Sequence, residues 1–201
     1  MPPANLRRRR ALADAAIALL AEEGAHGLTH RSVEARAEVP PGTATNYFRT
    51  REALLVAAAE RVLELHFADM AAATEGTSGP TGVDELIDMI TESLWGAATV
   101  LRGRYLAIFE LRLAARRFPA LAEVLARLEG TAVADTAVLH EVLGTPVSEA
   151  AVSNLVTLYG GALFTLVTGP VGAFDKAGVR GLVATMVHGA LAEGAAGADS
   201  R

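Results

Sequence analysis

The segment between residues 150 and 174 contains no charged side chain, and this feature constrains the fold more than any other. Its central part reads Leu155-Val-Thr-Leu-Tyr-Gly-Gly-Ala-Leu-Phe-Thr-Leu-Val167. A helix this apolar has to be covered on all sides, either by lipid or by protein. Polar residues, glycines and a proline interrupt the segment, and acidic residues rather than a Lys/Arg cluster flank it, which argues against a membrane span. We therefore expect a helix covered by protein and no membrane partner.

Composition favours helices along the whole chain. Alanine supplies 41 of the 201 residues and aromatic residues only 5%, and alanine is the strongest helix former. Apolar residues recur at helical spacing, and no segment shows the sustained alternation of a half-buried strand. The chain has no cysteine, which excludes a disulfide framework, a thiolate metal site and a cysteine nucleophile. The sequence predicts an all-α protein of about nine helices.

Charge is distributed unevenly along the chain. The net charge is −5 overall, but residues 1–52 have a net charge of +2 and the remainder −7. A basic segment joined to an acidic body is typical of an interaction module attached to a second domain. The helix that follows the arginines at 7–10 is amphipathic and contains acidic residues, which distinguishes it from a secretory signal peptide. We expect a cytoplasmic protein.

Residues 29–48 have the organisation of a helix, a tight turn and a second short helix. Thr29 can cap the first helix, two prolines prevent a continuous helix, and Pro41 fits the first turn of the second one. Thr50 can cap the long helix that follows. An amphipathic helix over about residues 8–23 supplies a core for the pair. A helix-turn-helix of this kind places its second helix in the major groove of DNA. Asn, Arg, Thr and Tyr side chains, which read bases and bind phosphates, are concentrated in this segment.

A set of motifs extends from the first helix to residue 55. It comprises Ala15-Ala16, Leu19-Leu20, Gly24, Leu28-Thr29, Val33, Ala37, Val39-Pro-Pro-Gly-Thr43 and Tyr47-Phe48-Arg49-Thr50-Arg51-Glu52-Ala-Leu-Leu55. Together these motifs resemble the N-terminal domain of the TetR family of bacterial transcriptional regulators. The resemblance implies a three-helix DNA-binding domain over residues 1–51, with the helix-turn-helix at about residues 29–48. It also implies a helical ligand-binding and dimerisation domain over residues 52–201.

The resemblance assigns roles to individual residues of the first domain. Arg31 and Thr43 match family positions that contact DNA, and Arg51 stands where a lysine usually binds phosphate. Thr45 replaces a tyrosine that contacts phosphate in the family, and Pro40 replaces a serine-like cap. The predicted DNA-binding residues are therefore His30, Arg31, Thr43, Thr45, Asn46, Tyr47 and Arg51, with Tyr47 taking over part of the missing aromatic contact.

For the second domain, the resemblance implies a small-molecule effector of unknown identity and a homodimer formed by the last two helices. The uncharged segment fits such a dimer independently, because a second copy would cover its outer face in a four-helix bundle. The candidate ligand-binding side chains are the large or functional ones in the expected ligand-binding helices, although each also fits an ordinary structural position. They are Met89, Trp95, Tyr105, Phe109, Arg112, Phe118, Tyr159 and Phe164.

Enzymes form the main alternative class. The sequence has no phosphate-binding glycine loop after a strand, no nucleophile elbow and no paired histidine ligands, so we expect no enzymatic activity and no cofactor. His66 and Asp69 have a spacing that fits a metal, but no third ligand accompanies them, and no metal is expected. Glu110 and Arg112 are charged residues on an otherwise apolar helix, where each would meet a polar ligand group or, as is more common, form a surface or interface pair.

The sequence thus predicts a transcriptional regulator, a repressor that a small molecule releases from its double-stranded DNA operator. The alternative is a helical small-molecule-binding protein or an enzyme that does not bind DNA.

Overall fold

The computed structural model describes residues 3–74, 82–127 and 149–198. Within these ranges all regular elements are helices, which confirms the all-α prediction. They are α1 (Pro3–Gly27), α2 (His30–Arg36), α3 (Thr43–Tyr47), α4 (Arg51–Thr74), α5 (Val83–Ala98), α6 (Arg102–Ala115), α7 (helical over residues 119–127), α8 (Glu149–Thr168) and α9 (Lys176–Ala198). From the sequence we also expect turn-rich breaks at residues 75–82 and 144–146 and a helix from about residue 120 to residue 143, but residues 75–81 and 128–148 lie outside the described part of the chain.

The chain divides into two compact units. The first comprises Met1–Ala73 and Gly103–Leu128, and the second comprises Thr74–Arg102 and Glu129–Arg201. In the first unit one continuous core contains buried side chains from α1 to α4, α6 and α7, among them Leu12, Leu20, Val33, Phe48, Leu55, Leu111 and Leu121. The helix-turn-helix therefore shares its core with α4, α6 and α7, and the domain boundary at residue 51 stays a prediction.

In the second unit, α5, α8 and α9 pack against one another. Each helix contributes fully or almost fully buried aliphatic side chains, including Leu86, Leu94, Leu155, Val167, Val179, Val183 and Val187. Ion pairs join α9 to α5: Arg180 Nε lies 2.7 Å from Asp88 Oδ1 and its Nη2 3.8 Å from Asp84 Oδ1, and Lys176 Nζ lies 2.5 Å from Glu92 Oε1. The charged residues of α9 near its start are thus directed towards α5.

Helix α8 includes the most apolar segment of the described chain. By length and composition, Ala150–Thr168 could cross a membrane, with 19 residues and a mean hydropathy of 1.6, and 33% of it is buried within the protomer. A single such helix is weak evidence for a span, because a core or interface helix has the same composition. Two thirds of the residues in this apolar segment are thus only partly buried or exposed in the protomer.

Local signals in the sequence explain the ends of the short helices. Thr29 caps α2 by accepting a hydrogen bond from Ser32 N at 3.0 Å. The Ser32 hydroxyl oxygen in turn accepts a hydrogen bond from Thr29 N at 2.9 Å, which completes a capping box. Thr50 caps α4 by accepting from Ala53 N at 3.0 Å. Both caps are confirmed as predicted.

The start of α3 differs from the prediction. Pro41 was expected in its first turn, but α3 begins at Thr43, after Gly42 with φ 84°. This left-handed conformation is incompatible with a helical residue and is the one glycine adopts without strain. The chain therefore completes a turn through both prolines before the helix starts, and α3 has only five residues.

Glu38 lies in the turn between α2 and α3 with φ 52° and is the non-glycine residue with positive φ in the described part of the chain. A side chain in this region costs about 1 kcal/mol. We expect Glu38→Gly to raise the free energy of unfolding by about 1 kcal/mol, measured by urea denaturation. Ala35→Gly, at an exposed helical position of α2, should lower it by a similar amount. A destabilised Glu38→Gly variant would contradict the strain argument.

Candidate nucleic-acid interface

A buried carboxylate holds the second helix of the helix-turn-helix in place. Glu34 on α2 is 7% exposed, and its Oε1 accepts a hydrogen bond from Ala44 N at 2.8 Å. Ala44 lies in the first turn of α3, where backbone N–H groups have no partner within the helix, and a negative charge is favourable at that end of a helix. Because Gly42 provides no side-chain cap, Glu34 takes over this role from a different helix.

Two of the predicted DNA-binding residues also make bonds inside the motif. His30 Nε2 lies 2.6 Å from the carbonyl oxygen of Phe48, and it must donate because a carbonyl oxygen only accepts. The start of α2 is thereby joined to the end of α3. Thr43 donates from its hydroxyl to the carbonyl oxygen of Pro40 at 2.5 Å, which closes the turn ahead of α3.

Three other predicted residues face solvent. Arg31, Thr45 and Asn46 are exposed, and none of them has a side-chain hydrogen bond or ion pair to another described residue. In contrast, Ala44 and Phe48 are 0% and 2% exposed. These two anchor the inner face of α3, so that Thr45 and Asn46 lie on its outer face with their polar groups unused.

Tyr47 and Arg51 lie at the edges of this surface and are both held by other parts of the first unit. The Tyr47 hydroxyl donates to Asn5 Oδ1 on α1 at 3.2 Å. Arg51 Nε donates to the carbonyl oxygen of Leu28 at 3.3 Å, and its Nη2 donates to that of Ala25. Both residues therefore have a fixed position. Arg51 keeps the N–H groups of Nη1 for the phosphate contact predicted for it, whereas the single hydroxyl proton of Tyr47 is donated to Asn5.

Helix α6 is hydrogen-bonded directly to the last turn of α1. At Gly24, with φ 72°, the regular helix of α1 is interrupted, as the predicted end of the first helix at residue 23 requires. Glu110 Oε2 accepts a hydrogen bond from Ala25 N at 2.8 Å just after this break. Ala25 is thus bonded to α6 through its N–H group and to Arg51 of α4 through its carbonyl oxygen.

Glu34 and Glu110 are not among the predicted site residues. The available cue was the same for both, namely an acidic residue adjacent to apolar positions of a helix, such as Val33 and Leu111. Their partners, however, lie 10 and 85 residues away in the sequence. Local periodicity contains no information on such distant pairs.

The eight candidate ligand-binding residues are divided between the two compact units. Tyr105, Phe109, Arg112 and Phe118 belong to the first unit, and Met89, Trp95, Tyr159 and Phe164 belong to the second. In the first unit, Tyr105 and Phe118 pack against the core, Phe109 is partly buried and Arg112 is exposed. In the second, Met89 is 43% and Phe164 53% exposed, while Trp95 and Tyr159 are partly buried. Their role in ligand binding stays a prediction.

Tyr159 has a defined polar partner. Its hydroxyl lies 2.8 Å from Ser93 Oγ on α5. Burial raises the pKa of the Tyr159 phenol above its usual value, and the hydrogen bond with Ser93 opposes that rise. The phenol is therefore uncharged at physiological pH, and the hydroxyls of Tyr159 and Ser93 form a hydrogen-bonded pair.

Two open depressions lie on the first unit, and neither is lined by a candidate ligand-binding residue. One, of about 410 Å³, is lined by Leu6, Arg7, Arg10, Ala11, Asp14 and Arg61. The other, of about 440 Å³, is lined by Leu19, Glu23, Ser32, Ala35, Arg36 and Glu38. For metals, the described ranges contain no group of three or more His, Cys, Asp or Glu side chains placed to hold an ion, and Asp69 is ion-paired with Arg104.

Comparison with known families gives a match for each of two regions of the chain. Residues 12–58 match the family model described as bacterial regulatory proteins, tetR family. Residues 81–193 match the one described as tetracyclin repressor-like, C-terminal domain. No curated protein matches the sequence.

Solved structures give the same result. The multidrug binding protein EbrR complexed with imidazole is 33% identical, with a TM-score of 0.62 over 89% of this chain and 94% of that one. A TetR family member from Streptomyces coelicolor A3 is 32% identical, with a TM-score of 0.65 over 89% and 97% of the two chains. A transcriptional regulator from Rhodococcus sp. Rha1, 18% identical over 92% and 96%, has the same fold with a TM-score of 0.74.

Proposed function

The chain belongs to the TetR family of bacterial regulatory proteins and is a ligand-responsive DNA-binding regulator, and from this premise we propose that it is a cytoplasmic repressor. In this proposal a dimer binds an operator through two copies of α3, and a small molecule releases it. The observation that carries the proposal is the exposed, unpaired set of Arg31, Thr45 and Asn46 beside an α3 that Glu34 holds in place.

Each predicted residue has a role in this interface that fits its surroundings. Arg31 has free donor groups, and arginine reads guanine in the major groove. Asn46 has a free donor and a free acceptor group, and asparagine reads adenine there. Arg51 is fixed by the bonds of its Nε and Nη2, keeps the N–H groups of Nη1 and suits a phosphate contact, which sets the position of a protein on the duplex. His30 and Tyr47 hold the motif in shape through their bonds to Phe48 and Asn5.

The outer faces of α8 and α9 support the dimer. They contain exposed residues that are apolar, small or threonine, with no Asp, Glu, Lys or Arg among them and with the exposed Asn154 and His188 beside them: Thr157, Leu158, Gly161, Phe164, Thr165 and Thr168 on α8, and Gly178, Gly181, Leu182, Thr185 and Gly189 on α9. We call these residues the α8–α9 face. At helical spacing they form one stripe on each helix. A second copy placing the same face against this one would bury both stripes in a four-helix bundle.

The threonines of the α8–α9 face make it more apolar than its composition indicates. The hydroxyls of Thr157, Thr165, Thr168 and Thr185 each donate to the carbonyl oxygen four residues earlier, at 2.9, 3.0, 2.7 and 3.0 Å. These polar groups are satisfied inside their own helices. Burial of this face against another chain would therefore leave no threonine hydroxyl without a partner.

The ligands of a relative support a proposal for the class of effector. EbrR has been solved in complex with proflavin, ethidium and malachite green. We propose an aromatic cation for this chain as well, because residues 53–201 have a net charge of −7 and the candidate ligand-binding residues are mainly aromatic. Aromatic rings attract cations through their faces.

The repressor proposal is tested by a gel shift with a duplex from the region upstream of the gene. We expect Arg31→Ala combined with Thr43→Ala to weaken binding by a dimer about a thousandfold or more, because two contacts are lost in each protomer and each lost base or phosphate contact costs about 1–2 kcal/mol. Malachite green, at a concentration that leaves the mobility of the free duplex unchanged, should release the wild-type protein.

Arg116→Ala is the matched control, since Arg116 is exposed and unpaired among the described residues but lies outside the helix-turn-helix. It should bind like the wild type. A double variant with wild-type affinity would overturn the site assignment, and a wild-type protein that does not shift this duplex would overturn the proposal of a repressor acting there.

A further inference from the structure

The four consecutive arginines of α1 differ in their contacts. Arg9 Nη2 donates to Glu60 Oε2 at 3.1 Å, and its guanidinium carbon lies 5.4 Å from the centre of the Phe48 ring. Arg10 is ion-paired with Glu64 of α4. Arg7 and Arg8 are exposed and have no hydrogen bond or ion pair to any described residue. Arg9 and Arg10 therefore join α1 to α4, whereas the charges of Arg7 and Arg8 are not paired with any described residue.

Asn5 locates the N-terminal turn of α1 beside α3. It is the residue that accepts the hydrogen bond from the Tyr47 hydroxyl, over a separation of 42 residues. Arg8 follows Asn5 by three residues and precedes the fully buried Leu12 by four, so all three share one side of the helix. Arg8 is thus an unpaired cation on the side of α1 that contacts the end of α3.

Arg7 lies on another side of the same helix. It lines the open depression of about 410 Å³ together with Arg10, Asp14 and Arg61. Arg61 also binds Asp14 and Glu64, and hydrogen bonds from Arg61 and Arg10 hold the pKa of Glu64 below its usual value. Arg7 and Arg8 are therefore adjacent, equally charged and both exposed, but only Arg8 shares a face with Asn5.

We propose that the N-terminal turn of α1 is a further part of the DNA-binding surface, in which Arg8 binds a backbone phosphate and Asn5 positions Tyr47. This inference rests on the proposed function, because it requires α3 to lie in the major groove. A duplex that receives α3 places its phosphates along both edges of the groove. A guanidinium next to the end of α3 then meets a phosphate, the group that receives half or more of protein–DNA hydrogen bonds.

Arg8 supplies a large share of the positive charge that residues 1–52 have available for binding phosphate. Residues 1–52 have a net charge of only +2, and Arg9 and Arg10 are already neutralised by Glu60 and Glu64. One additional phosphate contact in each protomer therefore changes the salt dependence of binding measurably, because each contact releases about one counterion.

The test compares Arg8→Ala with Arg7→Ala on the same upstream duplex over a range of salt concentrations. Each phosphate contact contributes about 0.9 to the slope of log K against log salt, so Arg8→Ala should lower the slope of a dimer by about 1.8. Arg7→Ala should leave it unchanged. Equal effects of the two variants would indicate a general charge effect and overturn the inference, as would an unchanged slope for Arg8→Ala.

The positioning role of Asn5 is tested by a double-mutant cycle with Asn5→Ala and Tyr47→Phe. We expect each single variant to bind about twofold to tenfold more weakly and the double variant to be no weaker than Tyr47→Phe, because Asn5 acts through the Tyr47 hydroxyl. Additive losses, or an Asn5→Ala variant with wild-type affinity, would overturn this role. A wild-type protein that binds no duplex would instead overturn the proposed function on which the inference rests.

Discussion

Replacing Glu34 with alanine is expected to abolish operator binding and to lower the free energy of unfolding by about 3 kcal/mol. The side chain is 7% exposed, and its carboxylate accepts a hydrogen bond from Ala44 N inside the first unit. Without it, a buried N–H group at the start of α3 has no partner, and such a group costs about 1–3 kcal/mol. The space left by the missing side chain adds to this loss.

DNA binding should respond more strongly than stability because α3 depends on its surroundings. A helix of five residues is far below the length at which an isolated helix forms in water. Its position comes from the buried side chains of Ala44 and Phe48, from the bond to Glu34 and from the bond between His30 and Phe48. An α3 that has lost its N-terminal anchor presents Thr45 and Asn46 in several orientations, so their contacts with bases weaken together.

Glu34→Gln separates geometry from charge in this prediction. The amide oxygen of glutamine still accepts the bond from Ala44 N, while the interaction of a full negative charge with the helix end, about 0.3–1 kcal/mol, is lost. This variant should bind the operator within about tenfold of the wild type. Glu123→Ala, at an exposed position of α7 without a described partner, is the control. Gel shifts and urea denaturation of a Glu34→Ala variant that match the wild type would contradict the anchoring role.

The sequence predicts those parts of the helix-turn-helix that depend on neighbouring residues. The Thr29 and Thr50 caps each join a hydroxyl to an N–H group three residues later, a relation visible in the sequence. The start of α3 depends instead on two competing preferences. Pro41 favours the first turn of a helix, but Gly42 adopts a left-handed conformation that no helical residue has, so the helix starts only after it.

The sequence does not predict contacts that close over long separations. The bonds of Glu34, Glu110 and Asn5 join residues 10, 85 and 42 positions apart, and each requires the packing of two helices at a defined rotation. The prediction of ligand-binding residues is limited in the same way. Residue type and helical periodicity indicate that an aromatic ring is buried, but not which other rings it contacts.

Replacing Gly181 with arginine is expected to convert the dimer into a monomer at micromolar concentration. An added Cβ at Gly181 would meet no atom within 4 Å in its own protomer, so nothing inside the protomer requires glycine at this position. The α8–α9 face is uncharged, and a guanidinium buried there by a second copy would have no partner, which is strongly unfavourable. Light scattering coupled to size exclusion measures the mass directly.

Gly96→Arg is the matched control for this substitution. Gly96 is also within a helix of the second unit, and an added Cβ there also meets nothing within 4 Å, but α5 is not part of the α8–α9 face. Both substitutions replace glycine by a good helix former, which favours the helix by up to about 1 kcal/mol, so neither should unfold the protomer. We expect Gly96→Arg to remain dimeric, with a circular dichroism spectrum like that of Gly181→Arg.

Loss of the dimer should weaken operator binding by a factor of about 10² to 10⁴, because the second half-site contact becomes a separate binding event. The effect is large here since one protomer brings a DNA-binding segment with a net charge of only +2 and therefore depends on two sets of specific contacts about 34 Å apart. A Gly181→Arg protein that stays dimeric would place the interface elsewhere on the chain. A monomeric one with wild-type affinity would show that two copies of α3 are not needed for binding.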